Sequence, residues 1–215
     1  MQLKTTIKAI LFGAIFLPLI ACAEQAAEEV YKAGEHYVVL PEPVKTRDPK
    51  KVEVVELFWY GCSHCYSFEP VLEKWASKSQ DDVDFWRSPA MWRDVMVEHA
   101  KAFYAAKTLG ILDKMHMPLF EALNVERRKL ATERELADFF AEHGVDADKF
   151  KKAYNSFSVT SGVRLADSRA RSYKITGTPE IVVNGKYRVD AKMAGGQQQM
   201  LDITDFLIAK ERASL

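Results

Sequence analysis

The stretch VEVVELFWYGCSHCYSFEP, residues 52–70, decides how the rest of the chain is read. Val52 to Tyr60 is a nearly continuous run of β-branched and aromatic side chains, which predicts a buried central strand. Gly61 breaks that run. From Ser63 to about Lys78 the spacing of Phe68, Leu72 and Trp75 predicts a helix, with Pro70 removing one backbone hydrogen bond and kinking it. Cys62 therefore stands where a buried strand ends and a helix begins. Free backbone N–H groups and the helix dipole at such a junction favour a negatively charged sulfur. Disulfide exchange proceeds through the thiolate, so this placement activates Cys62. His64 adds a cationic or hydrogen-bond-donating ring beside it. Cys65, one turn into the helix, is placed to attack a mixed disulfide formed at Cys62. The pair reads as an exposed attacker and a less exposed resolver.

Other uses of two cysteines at this spacing fit the sequence poorly. A structural zinc site needs two further ligands in a matching motif, and the sequence offers none. A c-type haem site needs histidine directly after the second cysteine, where Tyr66 stands. A purely structural bridge between Cys62 and Cys65 would close almost no loop and so constrain the unfolded chain little. Neither a metal nor a cofactor is expected, because the disulfide itself carries the oxidising equivalents. His36, His99, His116 and His143 share no metal spacing and read as structural or surface residues. Trp59 and Tyr60 read as core or rim aromatics of the strand, with peptide contact the alternative. Met91, Trp92, Met115 and Met117 suit helix packing, or else the lining of a substrate groove.

Working outward, Tyr37 to Leu40 predicts a short strand closed by Pro41 and Pro43, and Val83 to Arg87 another, stopped by Pro89. Residues 92–173 contain no convincing strand. Helices are expected over Val95 to Leu109, from a Thr132–Glu135 capping box to His143, after Asp146, and over Gly162 to Tyr173. Strand character returns in Glu180 to Val183 and Lys186 to Val189, flanking the hairpin turn Asn184-Gly185. A last amphipathic helix carries Met200, Ile203 and Leu207 on one side. The order is that of an α/β layer interrupted by a helical insertion.

The N-terminal residues 1–23 read as a secretory signal. Lys4 and Lys8 precede an uncharged apolar run from Ala9 to Ala21 that is short for a membrane span. Two processing readings compete: cleavage after Ala21-Cys22-Ala23, or a bacterial lipobox in which Cys22 is lipidated. Either exports the chain to a compartment that permits disulfides. The composition, 48% hydrophobic and 28% charged, is that of an ordinary globular protein. Lys+Arg and Asp+Glu are 30 each, so no net field argues for nucleic acid or anionic lipid as a partner.

The segments ELFWYGCSHCYSFEP and TGTPEIVVNGKYRVD, with the helical block between them, resemble the DsbA family of periplasmic disulfide oxidases across nearly all of the mature chain. The resemblance implies a thioredoxin-like domain made of 24–91 and 174–215, with an all-helical insertion over 92–173. It implies Cys62 as the attacking cysteine, Cys65 as its buried partner, and Glu56 as a buried acid that handles protons for Cys65. A plain outward-pointing charge is the alternative for Glu56. Pro179 matches the family's cis-proline, and Thr178-Pro179 would hold the substrate backbone. Ser63 and Thr178 depart from a well-known member, which has proline and an apolar residue there; both positions bear on redox strength. The function implied is a monomeric oxidase acting on unfolded exported proteins with free cysteines and reoxidised by a quinone-linked membrane protein of the DsbB type. A reductase or isomerase, or a non-catalytic peptide-binding module, are the other readings.

Overall fold

The structure, a computed structural model, describes residues 30–213, so the expected leader and Cys22 lie outside the described residues. Among the described residues, five strands form one sheet in the order β1-β5-β4-β2-β3. They are β1 (Val38–Val39), β2 (Val52–Phe58), β3 (Val83–Pro89), β4 (Glu180–Val183) and β5 (Tyr187–Asp190). β2 pairs parallel with β3 and antiparallel with β4, and the hairpin partner β5 carries β1 on its far side. All seven residues of β2 are buried, Glu53 and Glu56 included, as its nearly continuous apolar sequence predicts for a strand covered on both faces.

The period of two along β2 sorts its side chains. Val52 and Val54 face a core shared with Phe68 and Leu72 of α1 (Ser63–Ala76) and with Met200, Ile203 and Leu207 of α8 (Gln197–Arg212). Val55 and Leu57 face the opposite layer, with Tyr173, Ile175 and Val182. Glu56 shares the parity of Val54 and Phe58, so it points under α1. Phe58 reaches a third cluster with Tyr60, Cys65, Phe103, Met115 and Phe120. There the sheet meets the helices that follow β3: α2 (Asp94–Thr108), α3 (Leu112–Asn124), α4 (Glu133–Glu142), α5 (Ala147–Tyr154) and α6 (Phe157–Ser172). A four-residue turn of helix, α7 (Ala191–Ala194), links β5 to α8.

Several boundaries differ from the sequence reading. α6 begins at Phe157 rather than Gly162, because the Ser156 hydroxyl accepts from Val159 N at 3.3 Å and caps it. Gly162 is instead a packing residue: a Cβ there would lie 2.8 Å from the Tyr104 ring of α2. α3 was not separated from its neighbours in the sequence, since Pro118 lies within it and no side chain caps its start. β3 runs through Pro89, which an edge strand tolerates. α1 likewise continues past Pro70 as one element. The Thr132–Glu135 capping box forms as expected, each side chain bonding the other residue's backbone N–H. Met115 is fully buried and Met91 nearly so, whereas Trp92 is half exposed.

The hairpin turn places Asn184 at φ 49° and Gly185 at φ 62°, the left-handed pair its sequence predicts. Gly185 O accepts from Val44 N at 2.8 Å, and a Cβ on Gly185 would overlap the Val44 carbonyl. Gly185→Ala should therefore destabilise the protein by about 1–3 kcal/mol, read from denaturant melts, with the midpoint falling at unchanged slope. An unaltered midpoint would mean that the 44–45 segment gives way freely.

Candidate active site

Cys62 is the N-cap residue of α1. Its backbone is extended (φ −92°, ψ 113°), and its sulfur accepts from Cys65 N at 3.4 Å, where a serine or aspartate oxygen more often sits. The half-buried Cys62 thiol is pulled down to about 5, first by its hydrogen bond with Cys65 and also by the Thr178 side chain and the backbone N–H groups of Cys65 and His64; burial opposes them. As a neutral thiol Cys62 donates to Thr178 O at 3.3 Å, a contact that favours the protonated form and is outweighed by the donors at the helix start. Cys65 is fully buried. Desolvation, the hydrogen bond with Cys62 and the nearby Glu56 charge all push its thiol far above the ordinary range. Two thiols three residues apart are thus driven in opposite directions by one helix terminus. Both are free thiols in this structure.

The His64 side chain is exposed and makes no hydrogen bond among the described residues. What His64 gives the Cys62 sulfur here is its backbone N–H, and its carbonyl accepts from Gln197 Nε2 at 2.6 Å. The Thr178–Pro179 peptide bond is cis. Pro179 is buried and Thr178 half-buried, at the edge of an open groove of about 690 Å³ whose walls include His64, Ser67, Pro179, Met193 and Gln197.

Beneath the cysteines lies a buried cluster of charges. Glu56 is fully buried, and the β2–β3 register sets Arg87 beside it, with Arg87 Nε 3.2 Å from Glu56 Oε2. That guanidinium is aimed chiefly at Glu69 of α1, donating to both of its carboxylate oxygens at 3.0 and 2.8 Å. Glu56 consequently has no well-directed hydrogen bond among the described residues. Desolvation first, then the Glu69 charge, hold its carboxyl well above the carboxylate range, although Arg87 pulls the other way. Burial also opposes ionisation of Glu69, but His116 and Arg87 more than offset it, and Glu69 stays below the usual range. His116 bridges Glu69 Oε1 at 2.9 Å and the Tyr60 hydroxyl at 2.8 Å. A cavity of about 330 Å³, lined by Glu69, Glu73, Arg87, Asp113 and His116 among others, adjoins this cluster. Among the described residues no group of three or more His, Cys, Asp or Glu is arranged to hold a metal.

The structure brings together Cys62, Cys65, Glu56, Thr178 and Pro179, and leaves the His64 ring facing solvent. Sequence reading missed Glu69, Arg87 and His116. The available signals were a Glu one turn after Cys65 and a charge inside an otherwise apolar strand.

Comparison with known proteins agrees with this geometry. The sequence model of the family described as DSBA-like thioredoxin domain matches residues 82–207. The thiol:disulfide interchange protein DsbA of Azotobacter vinelandii is 44% identical over 98% of this chain and 99% of its own length. That of Pseudomonas aeruginosa is 45% identical, covering 91% and 92%. The crystal structure of Pseudomonas aeruginosa DsbA superposes with a TM-score of 0.83 at 46% identity, covering 86% of this chain and 96% of that one. DsbA from Xylella fastidiosa gives 0.80 at 35% identity, covering 85% and 98%. Fold and likeness together define a disulfide oxidoreductase of thioredoxin-like α/β architecture with added helices. Within that class, the chain belongs to the DsbA family.

The geometry makes a direct expectation about reactivity. A brief alkylation pulse near pH 6 on the reduced protein should label Cys62 and leave Cys65 intact, and thiolate absorbance should titrate with a midpoint near 5. Equal labelling of the two cysteines, or a midpoint near that of a free thiol at about 8.5, would contradict the capped-sulfur geometry.

Proposed function

We propose that the protein is an oxidase that passes the Cys62–Cys65 disulfide to exported, unfolded proteins carrying free cysteines. The observation that carries this is the stabilised Cys62 thiolate: whatever favours the reduced pair makes its disulfide the stronger oxidant. A substrate thiolate attacks Cys62 Sγ, the Cys62–Cys65 bond breaks, and Cys65 leaves as a thiolate. Cys65 is buried and strongly disfavours charge, so Glu56, a carboxyl kept protonated by its surroundings, supplies the proton. A second substrate thiolate then attacks the substrate sulfur of the mixed disulfide and expels Cys62, a good leaving group because its thiolate is stable. Two electrons have moved from the substrate to the Cys pair, and the substrate gains a disulfide. Reoxidation runs the Cys65 step backwards, with Glu56 taking the proton.

Thr178 and Pro179 hold the substrate backbone in the groove, and His64 is the residue at its rim. The sheet with α1 and α8 carries the exchange chemistry, and residues 92–173 act as a helical insertion that walls the buried side of Cys65. The reoxidant is a quinone-linked membrane protein of the DsbB type and the working form a monomer. Location in the periplasm follows from the leader, with Cys22 as a lipid anchor point in the alternative processing. Among the described residues no helix is long and apolar enough to cross a membrane.

Two measurements test this. The reduced protein should be more stable than the oxidised one at neutral pH. Because the Cys62 pKa is depressed, this extra stability is complete above the unfolded thiol value of about 8.5 and fades as pH falls through the folded value near 5. Discounted for the exposure of Cys62, the gap at pH 7 should be on the order of 2 kcal/mol. Denaturant melts of both forms from pH 8 to pH 4 measure it, and a more stable oxidised form would rule out the oxidase. Separately, Glu56→Gln should slow the Cys65-dependent resolution of a peptide mixed disulfide at Cys62 by about tenfold or more, with the Cys62 titration almost unmoved. Unchanged resolution would remove Glu56 from proton handling.

A further inference from the structure

Residues 176–179 face the Cys62 sulfur from the far end of the chain. Apart from the strand ladder, no backbone–backbone hydrogen bond involves them among the described residues. Pro179 has no N–H to give. A segment with so little main-chain support would ordinarily be loose. It is held instead by one side chain. Glu180 is 2% exposed, and its Oε1 accepts from Thr176 N at 3.0 Å, from the Thr176 hydroxyl at 3.0 Å and from Gly177 N at 2.8 Å. Its other oxygen lies 3.3 Å from Arg188 Nε on β5. The β2–β4 register sets Glu180 opposite Leu57, so the backbone that bears the carboxylate is paired with the central strand. The loop it gathers begins two residues before the Thr178 carbonyl that touches Cys62 Sγ.

We infer that Glu180 is a positioning residue of the exchange site: its carboxylate replaces the main-chain hydrogen bonds that residues 176–179 lack and thereby fixes Thr178 against the Cys62 sulfur. Arg188 lies beside the second carboxylate oxygen as an ion pair without a directed hydrogen bond, and the loop's three hydrogen bonds all go to the first. The role extends to substrate, because the same loop forms one wall of the groove. The inference rests on Cys62 being the exchanging thiol, but its main readout does not.

Three variants of the full chain separate positioning from bulk stability: Glu180→Ala, Glu180→Gln and Arg188→Met. Each is followed by thiolate absorbance against pH and by KM and kcat for oxidation of a cysteine-containing peptide. Glu180→Ala should raise the Cys62 pKa by about one unit, because the Thr178 side chain, which helps to hold the thiolate, is no longer fixed beside the sulfur, and should raise KM severalfold with kcat less affected. Glu180→Gln keeps an acceptor oxygen and should fall between Ala and the parent. Arg188→Met should leave the Cys62 titration and KM in place even if its melting temperature drops. If Glu180→Ala does not fold, Glu180→Gln against Arg188→Met decides alone. A Cys62 titration unmoved by the Glu180 changes, or moved as far by Arg188→Met, overturns the inference. An absence of peptide oxidation in the parent protein would instead defeat the oxidase proposal, and the titration would still judge Glu180.

Discussion

At the start of α1 the first N–H groups of a helix have no carbonyl partners, and a sulfur sits where an oxygen cap is usual. Sulfur is a weak acceptor as a thiol and a good one as a thiolate, so an unmet hydrogen-bonding demand of the backbone becomes a preference for ionised Cys62. Everything nearby is arranged around that exchange. β2 must be buried and straight to deliver Cys62 to the junction, and α1 must pack through Phe68 and Leu72 to hold its axis against the sheet. Thr178 must come from a distant strand to cover the sulfur. The same terminus sends Cys65 inward on the first turn, where desolvation works against charge.

The charge cluster under Cys65 follows a second constraint. A buried carboxylate is tolerated when it is paired, and here one guanidinium serves more acids than it can satisfy. Arg87 meets Glu69 with two well-aligned bonds and reaches the exposed Glu73, leaving Glu56 as the acid with the poorest partner. Glu56 is also the acid whose charge acts on Cys65. One buried carboxyl is thus biased toward its protonated form while the guanidinium is aimed at its neighbour. His116 secures that neighbour from the other side, which ties the helices after β3 to the chemistry of the sheet.

Much of this was legible in the residues alone. The apolar run of β2, the break at Gly61 and the cysteines that follow fix a strand-to-helix junction by local rules, and Asn184-Gly185 fixes the hairpin. What the sequence hides depends on register and on distant contacts. Arg87 lies beside Glu56 because Val52 pairs with Val83; one residue of slip would send it to the other face. Gly162 resembles a helix boundary in the sequence, whereas it lies inside α6 and is small to admit the Tyr104 ring. The spacing suggests a cationic or hydrogen-bond-donating His64 ring beside Cys62, whereas in the structure its backbone N–H is the group engaged and the ring is exposed. Glu180 gave no warning, since a charge next to a proline at a strand start usually points to water.

The contact from Cys62 Sγ to Thr178 spans 116 residues, while the one from Cys65 N spans three. The two halves of the site therefore come into being on different timescales during folding. The short-range cap exists as soon as one turn of α1 has wound, an event of nanoseconds to microseconds. The long-range half waits for the helices between β3 and β4 to fold and for β4 to dock on β2, because closing so large a loop must await the contacts that reward it. A chain caught between these moments carries a Cys pair with only part of its activation and no groove wall beside it. The groove wall and the Thr178 side chain reach Cys62 only at that last docking step, so a half-folded copy carries the capped thiol without the far side of its site.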